Sequence, residues 1–535
     1  FSIIISQNIQ DARMLGLSGA YSTLANGYRA VGVNPANINN GTSWTVNIFS
    51  SKTSFLNNFF TIDRYNEING AHFDNILTAS YYDKEKILDV LDGDGLQLSF
   101  NSTNSIPSLN FSKDNYAFTS NVVLYGDVEF PEAFVDMMFF GNKVEYDTLN
   151  QVFIPNELNM SFKQNMLITV ETGFTYCKNF EEANLGFTLK YLQGLYYSNM
   201  EELDQPYFKT DITSYSGYGN YLIKQGLGGN GFAFDIGFST KEFDNGMRFG
   251  ASLINAFSSM EWNKDSQLRK GLEGIGVSFP VREKEYFFFT FGIDPLNAET
   301  LMNSTTEDLF QTETYKVCLI DFSDIPQVSS SAGDLPPFYI DSENFINNND
   351  STVVSSDENI VDPSKIVILD DGRVVIPTEN LDNLSSFASA PFNMDYPTYL
   401  RFGISKNFKS ENILLAADIM TGFDNMFGNE DKWKLSLGLE FNKYPKTPIR
   451  AGITLGGKDE TRFGLGTGYS FGSMKIDVAY GFIGGFSLYN TRGMDLALNV
   501  FYDYKEPEEG KLTFIDKIKN FFVGLIKKTK ERFQK

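Results

Sequence analysis

Met474-Lys475-Ile476-Asp477-Val478-Ala479-Tyr480-Gly481-Phe482 alternates without a break: Met474, Ile476, Val478, Tyr480 and Phe482 are apolar, and Lys475, Asp477, Ala479 and Gly481 fall between them. Successive side chains of a strand point to opposite faces, so this stretch is a strand with one apolar face and one small or charged face. The same pattern flanks it. Trp433, Leu435, Leu437, Leu439 and Phe441 alternate with Lys434, Ser436, Gly438 and Glu440. Met494, Leu496, Leu498, Val500 and Tyr502 alternate with Asp495, Ala497, Asn499, Phe501 and Asp503. Toward the N-terminus it recurs at Leu185-Phe187-Leu189-Tyr191, Phe232-Phe234-Ile236-Phe238 and Phe287-Phe289-Phe291-Ile293.

A soluble sandwich alternates too. Three features favour a membrane barrel instead. The strands recur over nearly the whole length with no helical domain between them. Their second face carries Asp, Lys, Glu or Gly, which suits a polar lumen. Many segments reach about 9–11 residues, the length that a tilted strand needs to cross a bilayer. No run of about 18 apolar residues exists, which excludes membrane helices but not a barrel, because only every second barrel residue meets lipid. The expected fold is all-β: a transmembrane antiparallel β-barrel over 46–505. At roughly 25 residues per strand and loop, regions 46–299 and 392–504 hold about 14 strands.

Composition agrees. Of 535 residues, 42% are hydrophobic and 15% aromatic, which excludes a disordered chain. Fifty Phe and 27 Tyr against three Trp and one His favour strands and the aromatic girdles of membrane barrels. The net charge of −23 excludes nucleic acid as a partner. Residues 301–390 hold 16 acidic and 3 basic side chains, over half of that imbalance, so the acidity is regional.

Three stretches break the alternation. Residues 8–42 are rich in Gly, Ala and Asn, and residues 1–45 are set apart as an N-terminal segment. Phe1–Gln7 is either the remnant of a signal peptide or a first strand. Residues 300–391 form an acidic insert, read as a long extracellular loop or a small separate domain. Within it, 366–376 reads as a hairpin around Asp370-Asp371-Gly372. Residues 506–535 change character: Phe514, Ile515, Ile518, Phe521, Phe522, Leu525 and Ile526 fall at helical spacing, and 511–535 hold eight Lys/Arg, Lys527 and Lys528 included, against two acids. A basic amphipathic helix of this kind binds a membrane surface or docks on a partner. Shorter helices are expected at 84–91 and at 131–140, the latter opened by Pro131.

Chemistry is sparse. His72 is the sole histidine and has no nucleophile motif beside it, so no catalytic residues and no enzyme activity are expected. Asp92 and Asp94 suggest a calcium loop but lack the closing Glu of an EF-hand, so a solvated turn is preferred. No metal site and no cofactor is expected. Cys177 and Cys318 are either one disulfide or two free thiols.

Asp11-Ala12-Arg13-Met14-Leu15-Gly16-Leu17-Ser18-Gly19-Ala20-Tyr21, followed by Val33-Asn34-Pro35-Ala36-Asn37, resembles the start of the FadL superfamily of outer-membrane proteins. That group includes transporters of fatty acids and aromatic hydrocarbons, and PorV-like proteins of secretion systems. The strands at 397–407, 413–421, 434–441, 449–456, 463–471 and 475–482 resemble the closing strands of PorV-like barrels, with Ala417-Asp418 before Gly464-Leu465-Gly466. Gly186–Gly194 is similar to uncharacterised barrels of the same group. The resemblance implies that residues 1–45 form a hatch plugging the lumen, with Gly16, Gly19, Ala20, Asn34, Pro35 and Ala36 as its motif. It implies an outer-membrane location in a Gram-negative cell, with extracellular loops and periplasmic termini. It also implies two functions: binding or passing hydrophobic small molecules, or anchoring surface or periplasmic proteins. The acidic insert at 300–391 and the basic segment at 506–535 favour the second. The expected partners are therefore outer-membrane lipid, a hydrophobic small molecule, and proteins held through those two segments.

Overall fold

The structure is a computed structural model that describes residues 10–39, 44–73, 75–91, 95–141, 144–211, 214–262, 284–296, 311–336, 338–343, 353–355, 365–369, 372–377, 392–423, 427, 431–457 and 461–504. Among these, fourteen antiparallel strands close into one barrel. They are β1 (Trp44–Asn57), β2 (Leu96–Ser105), β3 (Tyr116–Phe130), β4 (Lys163–Asn179) and β5 (Ala183–Glu202). Next come β6 (Gly229–Thr240), β7 (Met247–Trp262), β8 (Tyr399–Phe408), β9 (Ile413–Gly422) and β10 (Lys434–Phe441). The last four are β11 (Ile449–Gly456), β12 (Thr461–Phe471), β13 (Met474–Ile483) and β14 (Gly493–Tyr504). Each pairs with the next, and β14 closes on β1 from Trp44↔Tyr504 to Leu56↔Gly493. Closure leaves no unpaired edge, the condition for strands to lie in lipid.

The period-2 pattern sorts cleanly by face. Outward residues such as Phe187, Leu189, Phe234, Phe402, Leu437, Leu465 and Leu496 are exposed. Inward residues such as Lys52, Lys190, Arg401, Arg462, Asp418, Asp477 and Asp495 are buried. A soluble fold would put these sets the other way round, so this exterior fits a hydrocarbon surround. Aromatic rings edge the wall at one rim: Trp44 stacks on Tyr502 at 4.9 Å, and Tyr469 meets Phe471 at 4.5 Å. That is the girdle position of membrane barrels. No helix among the described residues is long and apolar enough to cross a membrane, which says nothing against crossing by strands.

One rim carries the chain ends of the barrel and short turns, such as the Gly472 turn (φ 68°) between β12 and β13. The other carries every long connection. The longest runs from Trp262 to Tyr399, so it is wider than the 300–391 suggested by composition. The Phe-rich stretch at 287–293 is indeed a strand (Lys284–Leu296), but it lies outside the barrel wall. It pairs with Tyr215–Gly226 and with Gln311–Asp321, which in turn pairs with Arg373–Pro377. Alternation is common to wall and off-wall strands, and only pairing separates them. The hairpin expected at 366–376 is present as Val367–Ile368 against Val374–Val375. The helices expected at 84–91 and 131–140 are α3 (Glu85–Leu91) and α4 (Glu132–Phe140), after α1 (Ala12–Gly16) and α2 (Ile62–Ile68).

Cys177 and Cys318 are both free and buried, so the disulfide alternative fails. Burial pushes the Cys318 thiol up to about 12, and a thiol is a poor nucleophile until it ionises. A maleimide should therefore label neither cysteine in the folded protein at neutral pH and both after denaturation. Mass spectrometry reads the two states directly.

Candidate functional site

Residues 10–39 lie inside the barrel. Asp11 caps α1 by accepting a bond from Met14 N at 2.8 Å, and α1 packs against β11–β14. The chain then crosses the lumen to a short 3-10 turn, Pro35–Asn37, that packs against β4–β6. Gly16, Ala20, Asn34, Pro35 and Ala36 are all buried there. Asn34 caps the turn: its side chain accepts from Ala36 N at 3.1 Å, and its amide donates to Ser22 O (3.1 Å) and to Phe238 O of β6 (2.9 Å). Proline after it supplies the fixed φ that starts the turn. Gly19 adopts φ 92°, and its carbonyl accepts from Arg401 at 2.7 Å.

The wall receives this segment on glycines. A Cβ at Gly466 would stand 3.0 Å from Gly16 Cα, and one at Gly438 would stand 3.0 Å from Leu17 O. At Gly186 it would run into the Pro35 backbone, at Gly452 into Leu17 C, and at Gly464 into Leu15 O. These glycines are cross-strand neighbours: Gly186 faces Gly237, Gly250 faces Gly403, and the row Gly438, Gly452, Gly464, Gly481 runs across β10–β13. Backbone meets backbone along this belt.

Buried charges pin what the glycines admit. One Asp418 oxygen accepts from Tyr21 N (3.0 Å), Ser22 N (2.8 Å) and Ser22 Oγ (2.6 Å) while paired with Arg401 at 3.1 Å. Arg13 reaches Glu440 at 2.8 Å, Arg450 bridges Glu440 (2.7 Å) and Asp477 (2.8 Å), and Arg29 lies 4.2 Å over the Phe501 ring. Ion pairs this buried hold their geometry because losing either member strands the other. Composition did not single out Arg401, Glu440, Arg450 or Asp477, since each reads locally as one polar letter in an alternating strand. Their signal is that charge stands on the face opposite the apolar one in several strands together.

Between this layer and the rim of long connections, the lumen is filled by a second, apolar layer. Val123, Tyr125, Leu167, Leu192, Trp262 and Phe427 are buried there, with Met394 and Tyr396 from the segment before β8. The Trp262 ring fits because Gly194 and Gly229 lack side chains: a Cβ at either would stand 2.6 or 2.9 Å from it. Tyr396 donates to Glu171 at 2.6 Å. Burial first, and then the Glu171 charge, hold its phenol well above the usual range, so it stays a donor. Here the ladder between β7 and β8 stops: pairing runs to Ile254↔Tyr399 and resumes only at Met260↔Met394. Asn255 and Phe257 take positive φ in the gap, and side-chain bonds replace the ladder, with Asn255 Nδ2 donating to Pro397 O (2.9 Å) and Ser258 Oγ to Tyr396 O (2.6 Å). β7 spends one residue more than the opposite segment across this gap, which makes it a bulge.

At the long-connection rim, α4 separates two apolar hollows. Pro131 precedes it, Glu132 occupies its first turn and Gly141 (φ 68°) ends it. Its sequence is apolar nearly all round, so both sides seek cover. One hollow, about 480 Å³, is lined by Phe130, Phe134, Met137, Met160, Phe162 and Tyr221. The other, about 320 Å³, shares Phe130 and Phe134 and adds Phe59, Ile87, Leu91 and Leu96. Phe134 meets Phe162 edge-on at 5.2 Å. A larger hollow of about 720 Å³ lies on the outward face of β8–β12 among Leu415, Leu437, Leu439 and Ile453, where it meets the surround and not the lumen. Sequence reading missed the rim hollows, because their walls come from four connections far apart in the chain.

No group of three or more His, Cys, Asp or Glu among the described residues is placed to hold a metal ion. The basic helix residues Phe514, Ile518, Phe521, Phe522, Leu525, Lys527 and Lys528 lie outside the described residues.

No protein-family profile and no curated protein matches the chain. Solved structures do. The Ralstonia pickettii toluene transporter TbuX matches at 10% identity and TM-score 0.43, over 94% of this chain and 99% of that one. The CymD monoaromatic hydrocarbon channel matches at 10% identity and TM-score 0.43, over 95% and 100%. The Pseudomonas putida toluene transporter TodX matches at 10% identity and TM-score 0.39, over 94% and 98%.

Proposed function

We propose that this chain is an outer-membrane barrel that binds hydrophobic small molecules at its long-connection rim and passes them inward, with residues 10–39 as a hatch. The observation that carries this reading is the pair of apolar hollows around Phe130 and Phe134 at the long-connection rim, where Leu96 and Phe130 are cross-strand partners on the outward register of β2 and β3. Concave sites lined by aromatic and thioether groups take up apolar ligands by removing their surface from water. The long connections would face outward and the short turns the periplasm, the usual arrangement of bacterial barrels. The buried segment across the lumen supports a gate, since passage requires it to move.

Phe134→Asp tests the binding step, because it puts a charge between the two hollows. With the full chain in lipid nanodiscs, affinity for an apolar fluorescent probe should fall at least about tenfold, the loss expected when one aromatic contact is replaced by a charge. Strand content by circular dichroism should not change. Unaltered probe affinity in an intact barrel would remove the rim hollows from the function.

A further inference from the structure

Among the described residues, the apolar exterior of the barrel breaks on β1 and β2. Phe55 faces Phe100 across these strands, and both are exposed to the surround. The next outward pairs down the same ladder are Thr53↔Ser102 and Ser51↔Asn104, while Lys52 and Ser54, which alternate with them, are buried toward the lumen. Asn104 accepts from Ser51 Oγ (2.7 Å) and donates to Ser102 Oγ (2.8 Å), and the Thr53 and Ser102 hydroxyls lie 3.3 Å apart. On β3, Val122 is the partner of Asn104; two residues from it, Ser120 meets Thr172 of β4 at 3.2 Å. This polar set stands between Trp44 and Tyr502 at the short-turn rim and Phe55 and Phe100 above. The outward stripes of β6 (Phe234, Ile236) and β10 (Leu435, Leu437) show what the wall carries elsewhere.

Hydrocarbon offers no partner to a hydroxyl or an amide, so a wall that meets only lipid is apolar. Mutual bonding uses part of the capacity of this set. Asn104 has two amide hydrogens and spends one on Ser102, and each hydroxyl can both give and take a bond. Lipid chains leave the remainder idle, whereas another protein surface within the membrane can take it up. The set also says what that surface is. It is uncharged, so a charged partner would carry its own charge into hydrocarbon without an answering one. It holds donors and acceptors together, so it complements itself: a two-fold axis through it sets hydroxyl and amide of one copy against hydroxyl and amide of the other. Leu496 and Leu498 of β14, the cross-strand neighbours of Thr53 and Ser51, supply an apolar flank. Contacts of this self-matching kind are the commonest in symmetric assemblies.

We infer that the β1–β2 wall is an interface between two copies of this chain within the membrane, centred on Ser51, Thr53, Ser102 and Asn104. It does not depend on what the rim hollows bind. The test uses the full chain in lipid vesicles, carrying Ser51→Cys, Thr53→Cys or Asn104→Cys one at a time and oxidised with copper phenanthroline; the native thiols are buried. At least one of the three should give a disulfide-linked dimer, and Leu437→Cys on the β10 wall should give none. Asn104→Leu should weaken self-association at least about tenfold, because symmetry removes the amide from both copies at once. Energy transfer between two labelled pools, followed as lipid is added, reads that change. Heat-modifiable migration on a gel checks that the wall is closed in every variant. Dimers of Leu437→Cys in equal yield, or an Asn104→Leu chain that associates like the parent, overturn the inference. A parent that stays monomeric in lipid and forms no dimer through any of the three cysteines overturns it as well, and leaves this wall to lipid or to residues 505–535 of the same chain.

Discussion

Gly464→Val is expected to force residues 15–18 off the wall and open the lumen without unfolding the barrel. A side chain at 464 points inward from β12 and meets Leu15 O, with Ser18 N 3.3 Å from its Cβ. Neither partner can rotate away, because both are backbone. The clash therefore ends with displacement of the segment or with bending of β12. Bending β12 would disturb its ladders to β11 and β13 together, so displacement is the cheaper outcome. Overpacking of a close backbone contact costs about 3 kcal/mol or more, and about 3 kcal/mol shifts a two-state equilibrium by over a hundredfold. Planar-bilayer recordings should show large, steady openings that the parent lacks, and protease should cut within residues 10–39. Heat-modifiable migration on a gel should persist, since the wall remains closed. A silent, protease-resistant variant would mean that the wall yields and the segment does not.

Asp418→Ala should release the same segment from another side. One carboxylate oxygen of Asp418 holds two backbone amides and a hydroxyl of residues 21–22, and also Arg401. Its loss leaves Arg401 buried with no counter-charge at that place and orphans both amides. Breaking a buried ion pair on one side costs about 3–5 kcal/mol. Since β8 and β9 keep their full ladder, that cost should appear as hydrogen exchange of the Tyr21 and Ser22 amides, raised by at least about a hundredfold. Replacing Arg401 and Asp418 together by Met and Leu should restore barrel stability but not protection of those amides. If the double replacement protected them fully, the clamp would hold nothing.

These two variants separate what could be read from residue order from what could not. Alternation at 433–441, 474–482 and 494–503 assigns strands and their apolar faces, because a period of two leaves each residue only two directions. Inverted burial follows from the same pattern. Charge such as Asp477 and Asp495 on one face with Leu and Phe on the other requires a polar interior and an apolar surround. The helix at 131–140 opened by Pro131 was equally local, since its start depends on neighbours within four residues.

The alternation at 287–293 shows the limit. It is as regular as any wall strand, yet it lies off the barrel because it pairs with 215–226 and 311–321. The glycine belt is a sharper case. Gly186, Gly250, Gly403, Gly452 and Gly464 lie on different strands, and each alone reads as one small residue in an alternating stretch. Only the registers between adjacent strands bring them into rows, and only the segment lying on those rows explains why no side chain is there. Strand faces were thus determined by sequence alone, because they depend on a backbone period. Strand partners, the glycine rows, the Arg401–Asp418 clamp and the rim hollows were decided by tertiary structure, because each depends on which distant residues closure of the barrel sets side by side.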